Sequence, residues 1–501
     1  MTAVPTETAE PVVKLEHAYA SLPEAFYARV EPARMPQPQL VRLNRPLAEF
    51  LGLEPEALTG REGIEFLSGQ RVAPGSEPVA MAYAGHQFGQ FVPSLGDGRA
   101  VLLGEIIGRD GVRRDIHLKG SGRTPFSRMG DGRAALGPVL REYVVSEAMA
   151  GLGIPTTRAL AMLTTGERVY RERAEPGAIL VRVAASHVRV GTFEYFYRRG
   201  DPDSVRTLAD YVIERHYPHC LEVDNPYRVL LDEVAARQAD LIAQWLLVGF
   251  IHGVMNTDNM SIAGESIDYG PCAFMDAYSA DKVYSSIDIG GRYAYNQQPR
   301  IGHWNLSQLA QCLLSLLDAD EDKAMASARE ALDAYVERFE AKFHAGMRAK
   351  IGLDGGNDED TDLAFDLLRR MGEEQADFTN TFRRLCDVEI DDSDSDQAVR
   401  ELFENPESFD AWARTWRKRL ATETRSDDER REAMRNVNPA YIPRNHRVQQ
   451  AIDAATLEED LQPLEDLLGV VARPFEDHPD LAHYVRPPQP EEEVTRTFCG
   501  T

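Results

Sequence analysis

The sequence predicts an α+β fold on three observations. Strand-like apolar runs punctuated by glycine fill residues 81–135, among them "RAVLLGEIIG" and "RRDIHLKGSG". A helix follows at about 137–152, where Val139, Leu140, Tyr143, Val144, Glu147 and Ala148 fall at helical spacing before "GLGIP" ends it. Beyond about residue 305 the pattern is helical throughout, in "LSQLAQCLLSLL", "AREALDAYVERFEAKFHAGM" and "ESFDAWARTWRKRLA".

The remaining elements fall into place around these. Residues 1–80 mix short helical patterns with breaks such as "MPQPQ". Residues 178–191, "AILVRVAASHVRVG", read as a strand followed by a turn or short helix, and 233–252 as a long apolar helix. "SIDYGPCAFMD" reads as strand, turn and strand. Acidic runs such as "DGGNDEDTD" and "DDSDSDQ" are expected to be solvated loops. The tail from "HYVRPPQP" is expected to be extended and mobile.

Composition narrows the function. The chain has 501 residues, 43% apolar and 27% charged, with a net charge of -26. That balance disfavours binding of a nucleic-acid backbone, which needs a basic face. The longest apolar run, 241–255, is interrupted by Gln244 and too short to span a bilayer. The N-terminal stretch has neither a basic start nor an apolar core, so a cytoplasmic protein is expected, working as a monomer without nucleic-acid or membrane partners. Five scattered cysteines with no CxxC pair give no zinc or disulfide framework. Only seven residues are lysine, so a lysine on an apolar strand stands out.

Five features occur in the order in which a protein kinase presents its nucleotide site. The first is the turn Leu95-Gly96-Asp97-Gly98-Arg99, whose glycines let backbone N–H groups approach phosphates. Taken alone it reads equally as a hairpin. The second is Lys119, ending the strand "DIHLK" where a kinase lysine neutralises phosphate charge. Glu142, 23 residues on, is placed to hold it, with Glu147 as the competing acid. Asn259 closes "FIHGVMNTDNMSI", and Asp268 opens Asp268-Tyr269-Gly270 nine residues later. Both are hard oxygen ligands suited to Mg2+ or Mn2+. Together the five predict a bilobal, protein-kinase-like arrangement. It comprises an N-terminal extension (1–80), a β-rich nucleotide-binding part (81–175), a part with the catalytic and metal loops (176–320) and a helical C-terminal extension (321–501). One kinase element is missing. The third position of the loop opened by His252 is Val254, which cannot accept a proton.

Longer motifs carry a resemblance. "YAGHQFGQF" (83–91), "LGDGRAVLLGE" (95–105), "LKGSGRTPFSRMGDGRAAL" (118–136), "REYVVSEAMAGLGIPTTRAL" (141–160), "VRVAASHVRVGTFEYF" (181–196), "GVMNTDNMSI" (253–262), "DYGPCAFMD" (268–276) and "NPAYIPRNHRVQ" (438–449) resemble the selenoprotein O family, the kinase-fold protein adenylyltransferases. The resemblance implies that ATP (or UTP) binds in an inverted orientation. A Ser, Thr or Tyr hydroxyl of a protein substrate then attacks the α-phosphate and pyrophosphate leaves: AMPylation, or UMPylation. It implies nucleotide contacts from Gly96, Gly98, Arg99, Lys119, Asp131, Gly132, Arg182, Arg189 and Asp268, with the two arginines gripping phosphate bidentately. It implies Asn259 and Asp268 as the ligands of Mg2+ or Mn2+ and Asp258 as the base. Read from the residues alone, Asp258 in "NTDN" also fits a turn cap. His86 and Gln87 have no physical role at this level. Animal members carry selenocysteine three residues from the C-terminus, where this chain has Cys499, and a redox pairing of Cys499 with Cys272 is an expectation on that basis.

Two other readings compete. A small-molecule or protein phosphotransferase would need the acid that Val254 replaces. A non-catalytic nucleotide-binding pseudokinase would have no need to keep Lys119, Asn259 and Asp268 together.

Overall fold

The computed structural model describes residues 12–498 except 355, 357 and 392. It is a mixed α and β structure, as expected. The strands are β1 Tyr27–Arg29, β2 Gln39–Leu43, β3 Val79–Met81, β4 Gly85–Gln87, β5 Gln90–Val92, β6 Ala100–Ile107, β7 Arg113–Lys119, β8 Ala134–Ala135, β9 Arg158–Tyr170, β10 Ala174–Ala184, β11 Phe250–Ile251 and β12 Ala273–Phe274. The main sheet is antiparallel, in the order β1-β3-β6-β7-β10-β9-β2, with β8 pairing to β10. β4–β5 and β11–β12 are separate two-stranded ribbons.

Alternation along the central strands sorts side chains between two faces. Ile116 and Leu118 of β7, with Ile179, Val181 and Val183 of β10, enter a core with the short helices α1 Arg45–Phe50, α2 Pro55–Thr59 and α3 Arg61–Leu67. Ala178 and Leu180 face the other way, onto α4 Leu136–Gly151. α4 is apolar on both sides because the C-terminal residues Val448, Leu464 and Leu467 cover its far side. Lys119 and Arg182 follow the same alternation, which puts them on the α4 face.

The rest of the chain is helical. α5 Val190–Tyr197, α6 Pro202–His216, α7 Pro226–Leu247, α8 Gln298–Leu317 and α9 Glu321–Lys350 bury a second, larger core. Their starts follow local capping rules. Asn225 accepts from the Arg228 N–H at 3.0 Å with Pro226 at the first turn, and Asp320 accepts from Asp322 and Lys323 N–H groups at 3.0 and 3.2 Å. Among the described residues no helix is long and apolar enough to cross a membrane.

Four local expectations are corrected. Residues 27–43 contribute β1 and β2, which are too short and too polar to show a strand period. The turn at 95–99 joins no hairpin: β5 pairs with β4, and β6 with β3 and β7. Of "SIDYGPCAFMD" only Ala273–Phe274 is a strand, while Ser266 makes an isolated bridge to Thr156. The tail is extended but held at Thr497, whose N–H donates to the Tyr284 carbonyl at 2.8 Å and whose hydroxyl donates to the Pro271 carbonyl at 2.5 Å.

Candidate active site

A cavity of about 710 Å³ opens between the sheet and the 252–270 loops, a size suited to a nucleotide. It is lined by Gly96, Gly98, Arg99, Lys119, Asp131 and Gly132 on the sheet side. Arg182, Arg189, Asp258, Asn259 and Asp268 complete it. Every nucleotide, metal and base residue expected from the sequence is therefore on one wall or another of a single cavity.

Its floor is a buried charge cluster. Glu142, in the second turn of α4, accepts from Lys119 Nζ and from Arg182 Nε, each at 2.5 Å. Glu147 is not the partner: it bonds Arg158 at 2.7 Å and Asn44 at 2.8 Å. Asp268 takes the other end of the same cations. Arg182 Nη2 lies 2.5 Å from Oδ1, Lys119 Nζ 3.6 Å from Oδ1 and Arg189 Nη2 3.5 Å from Oδ2. Burial alone would raise the Asp268 carboxyl, but Arg182, Lys119 and Arg189 outweigh it and hold the group well below the usual carboxylate range. Asp268 also adopts a left-handed backbone (φ 63°), sparsely populated for a non-glycine residue.

Arg189 sits at the start of α5. Its guanidinium lies 4.2 Å from the Tyr83 ring and 3.7 Å from Asp97 Oδ1. Its Nε and Nη1 are buried with no hydrogen-bond partner, although the residue is only 2% exposed. Buried donors of this kind are costly unless an acceptor fills the site. A phosphate oxygen would be such an acceptor.

The opposite wall carries Asp258, in a short turn Thr257–Asn259. Oδ2 accepts from Gln87 Nε2 at 3.1 Å, and Oδ1 is buried with no partner. Burial pushes the carboxyl up to about 7, with the Gln87 bond only partly offsetting it. This is not a turn-cap geometry, since neither carboxylate oxygen is shown accepting from the N–H two or three residues on. Asn259 donates from Nδ2 to the Val254 carbonyl at 2.9 Å, which leaves its side-chain oxygen as the atom that could ligate a cation. Among the described residues no cluster of three or more His, Cys, Asp or Glu could hold a metal. The set Asn259 plus Asp268 instead fits a cation such as Mg2+, which keeps several waters and draws its other ligands from substrate phosphates.

The sequence reading missed the device that positions Asp258. Hairpin β4–β5 delivers Gln87 to it across 171 residues of sequence. His86 anchors that hairpin: its N–H donates to Thr257 Oγ1 at 2.7 Å, and its ring and the Thr257 hydroxyl both bond the buried Glu194 of α5. A Cβ at Gly85 would stand 2.6 Å from Asp258 Oδ1, so the hairpin can approach only because residue 85 has no side chain. "YAGHQFGQF" was the available signal. Asp97 and His117, 3.2 Å apart, back the Arg189 side of the cavity and were likewise missed.

Two peripheral expectations fare differently. Asp131 lines the mouth and pairs with Arg171 at 2.8 Å, and Gly132 (φ 72°) passes 2.2 Å from the Gly122 backbone at its Cβ position. Cys272 is fully buried and its thiol is pushed up to about 11, a state slow to exchange. Cys499 lies outside the described residues.

A cavity with cationic side chains and Asp268 on its floor, and with Asp258 and Asn259 on the facing wall, is suited to a nucleotide. Residues 11–472 match the family "Protein adenylyltransferase SelO". The chain belongs to that family, which assigns the class of activity: nucleotidyl transfer to protein. It is 59% identical over 486 residues to "Protein nucleotidyltransferase YdiU" of Rhodopseudomonas palustris (strain BisB5), covering 97% of this chain and 99% of that protein. Proteins of the same name from Bradyrhizobium sp. (strain ORS 278) and from Methylorubrum extorquens are 60% identical over 486 residues and 59% over 491, with the same coverage.

Proposed function

We propose that this chain transfers AMP from ATP to Ser, Thr or Tyr hydroxyls of proteins and releases pyrophosphate. In this reading the sheet and the helical part form two kinase-like lobes around the cavity, and residues 1–80 and 321–501 are extensions packed on them. Lys119, Arg182 and Arg189 bind the phosphates. Glu142 holds Lys119 and Arg182 in register, and the glycines of 96–98 admit the phosphate chain close to the backbone. Asn259 and Asp268 would hold Mg2+ or Mn2+, which when bound supplies charge neutralisation at the phosphates and the departing pyrophosphate. Asp258 takes the proton of the acceptor hydroxyl as its oxygen attacks the α-phosphorus and the bond to the β-phosphate oxygen breaks. Four buried free cysteines, Cys220, Cys272, Cys312 and Cys386, support a reducing, cytoplasmic setting.

The observation that carries the reading is the Asp258 carboxylate: one oxygen tied to Gln87, the other unpartnered on the cavity wall, with burial bringing the group to about 7. A base so placed suits proton abstraction near neutral pH. The phosphotransferase reading lacks such a base at its usual place, since Val254 lines the cavity there. Asp258→Asn should lower kcat by about 10²–10⁴-fold, with the Kd for ATP by calorimetry unchanged. An unaltered kcat would remove Asp258 from the chemistry.

A further inference from the structure

We infer that the groove beside the catalytic cavity is the docking site for an acidic segment of the protein substrate. The inference rests on the transferase reading and adds the chemistry of the substrate to it. The groove, about 700 Å³, is lined by Asp288, Ile289, Arg292, Arg300 and Trp304, among others. It lies beside the catalytic cavity. Ile287 lines the catalytic cavity and the next residue, Asp288, lines the groove. The Arg292 guanidinium lies 3.5 Å from where a Cβ on Gly89 would stand, at the tip of the hairpin that holds Asp258 through Gln87. A chain whose hydroxyl reaches Asp258 has this groove beside it.

Arginines stack on aromatic rings from the groove toward the hairpin β4–β5. Arg292 lies over the Trp304 ring at 4.8 Å, Trp304 meets His86 edge-on at 5.3 Å, His86 packs on Phe91 at 5.1 Å, and Arg198 lies over Phe91 at 5.2 Å. Among the described residues Arg198, Arg292 and Arg300 pair with no carboxylate, in a chain where 81 acids face 55 bases. Two acids, Asp281 and Asp288, share the groove, each held by neutral donors. Asp288 accepts from the Arg292 and Tyr293 N–H groups at 2.9 and 2.8 Å, and Asp281 from the Ser279 hydroxyl at 2.6 Å. Lys282 is taken by Glu493 at 3.8 Å. Ile289 is 97% exposed and Ile287 54%, so two large apolar side chains stand in water along the path. Guanidiniums stacked on aromatic rings are preorganised to receive carboxylates. The net charge of -26 does not oppose this at physiological salt, where fields fade over about 8 Å and the local groups decide.

The test uses synthetic peptides with one acceptor residue, Ser, Thr or Tyr in turn, flanked by glutamates or by lysines. Two readouts are taken: label transferred from α-labelled ATP, and fluorescence anisotropy of dye-tagged peptide without nucleotide. Wild type should bind and modify the glutamate peptides with KM and Kd about tenfold lower than the lysine peptides, as two or three half-exposed charge pairs would give. Arg300→Glu, on an exposed position, should shrink the preference, and Arg292→Glu with Arg300→Glu should reverse it at unchanged KM for ATP. Equal affinity of wild type for both peptides, or a preference that survives the double reversal, would overturn the docking site. Absence of any α-label on peptides or on the chain itself would count against the transferase reading instead, while anisotropy would still decide the groove.

Discussion

Among the described residues Asp268 is the single carboxylate that Lys119, Arg182 and Arg189 all face, so its removal is informative in two directions. Asp268→Ala should abolish label transfer, because the proposed metal ligand and the fixed geometry of three cations go together. It should also leave metal-free ATP binding intact or tighter, since phosphate then neutralises those cations in its place. Calorimetry of the variant with ATP in the presence of chelator reads the second effect, and weaker binding there would show that the cluster is structural rather than a phosphate site. Arg189 offers a separate check. Its planar group lies over Tyr83 with two donors unpartnered, a geometry that lysine cannot copy. Arg189→Lys should therefore raise KM for ATP by about tenfold, the scale of one charged hydrogen bond. A lysine enzyme with wild-type KM would mean that charge alone matters there. Gln87→Ala should lower kcat more than it changes KM for ATP, because the bond it removes holds Asp258.

At the scale of elements, the hairpin β4–β5 and helix α9 make distinct demands. Gly85→Ala would drive a methyl into Asp258 Oδ1, so kcat should fall while far-UV circular dichroism and the melting temperature change little. A large drop in melting temperature would show that the hairpin is needed for folding and not only for placement. α9 ends at Lys350, 2% exposed, with its ammonium 4.4 Å from the Phe382 ring and no carboxylate partner among the described residues. Burial lowers its pKa to about 7, whereas the unfolded chain keeps the ordinary value of about 10.4. Between those values the unfolded state binds more protons, so stability rises with pH from about 7 to about 10, with a slope of up to about 1.4 kcal/mol per unit. Urea denaturation across that range should show the slope in wild type and lose it in Lys350→Met. The same slope in both proteins would place the titrating group elsewhere.

Across the whole molecule, legibility follows sequence separation. Lys119 and Glu142 were readable as a pair because only the short β8 separates strand β7 from helix α4 and each shows its own period. Asn259 and Asp268 were readable because a short connection keeps them together. Arg182 was placed only by motif resemblance, although the alternation along β10 explains why it meets Glu142. The Gln87–Asp258 bond was invisible because 171 residues separate its ends and neither residue sits in a periodic element. The strands at 27–43 were missed for a related reason: β2 is half-exposed along its length and takes its stability from pairing with β9, not from its own pattern. Nor could local pattern reveal that the tail returns to Pro271 through Thr497.

All of these contacts serve one claim, that the reacting phosphate is the α and that the acceptor is protein. The most direct measurement incubates the purified chain and a protein acceptor with ATP labelled at either the α- or the γ-phosphate and follows label retained on protein. Label from the α position alone, with pyrophosphate released and the signal lost in Asp268→Ala, is the expected result. Label from the γ position alone would make this a phosphotransferase and contradict the account.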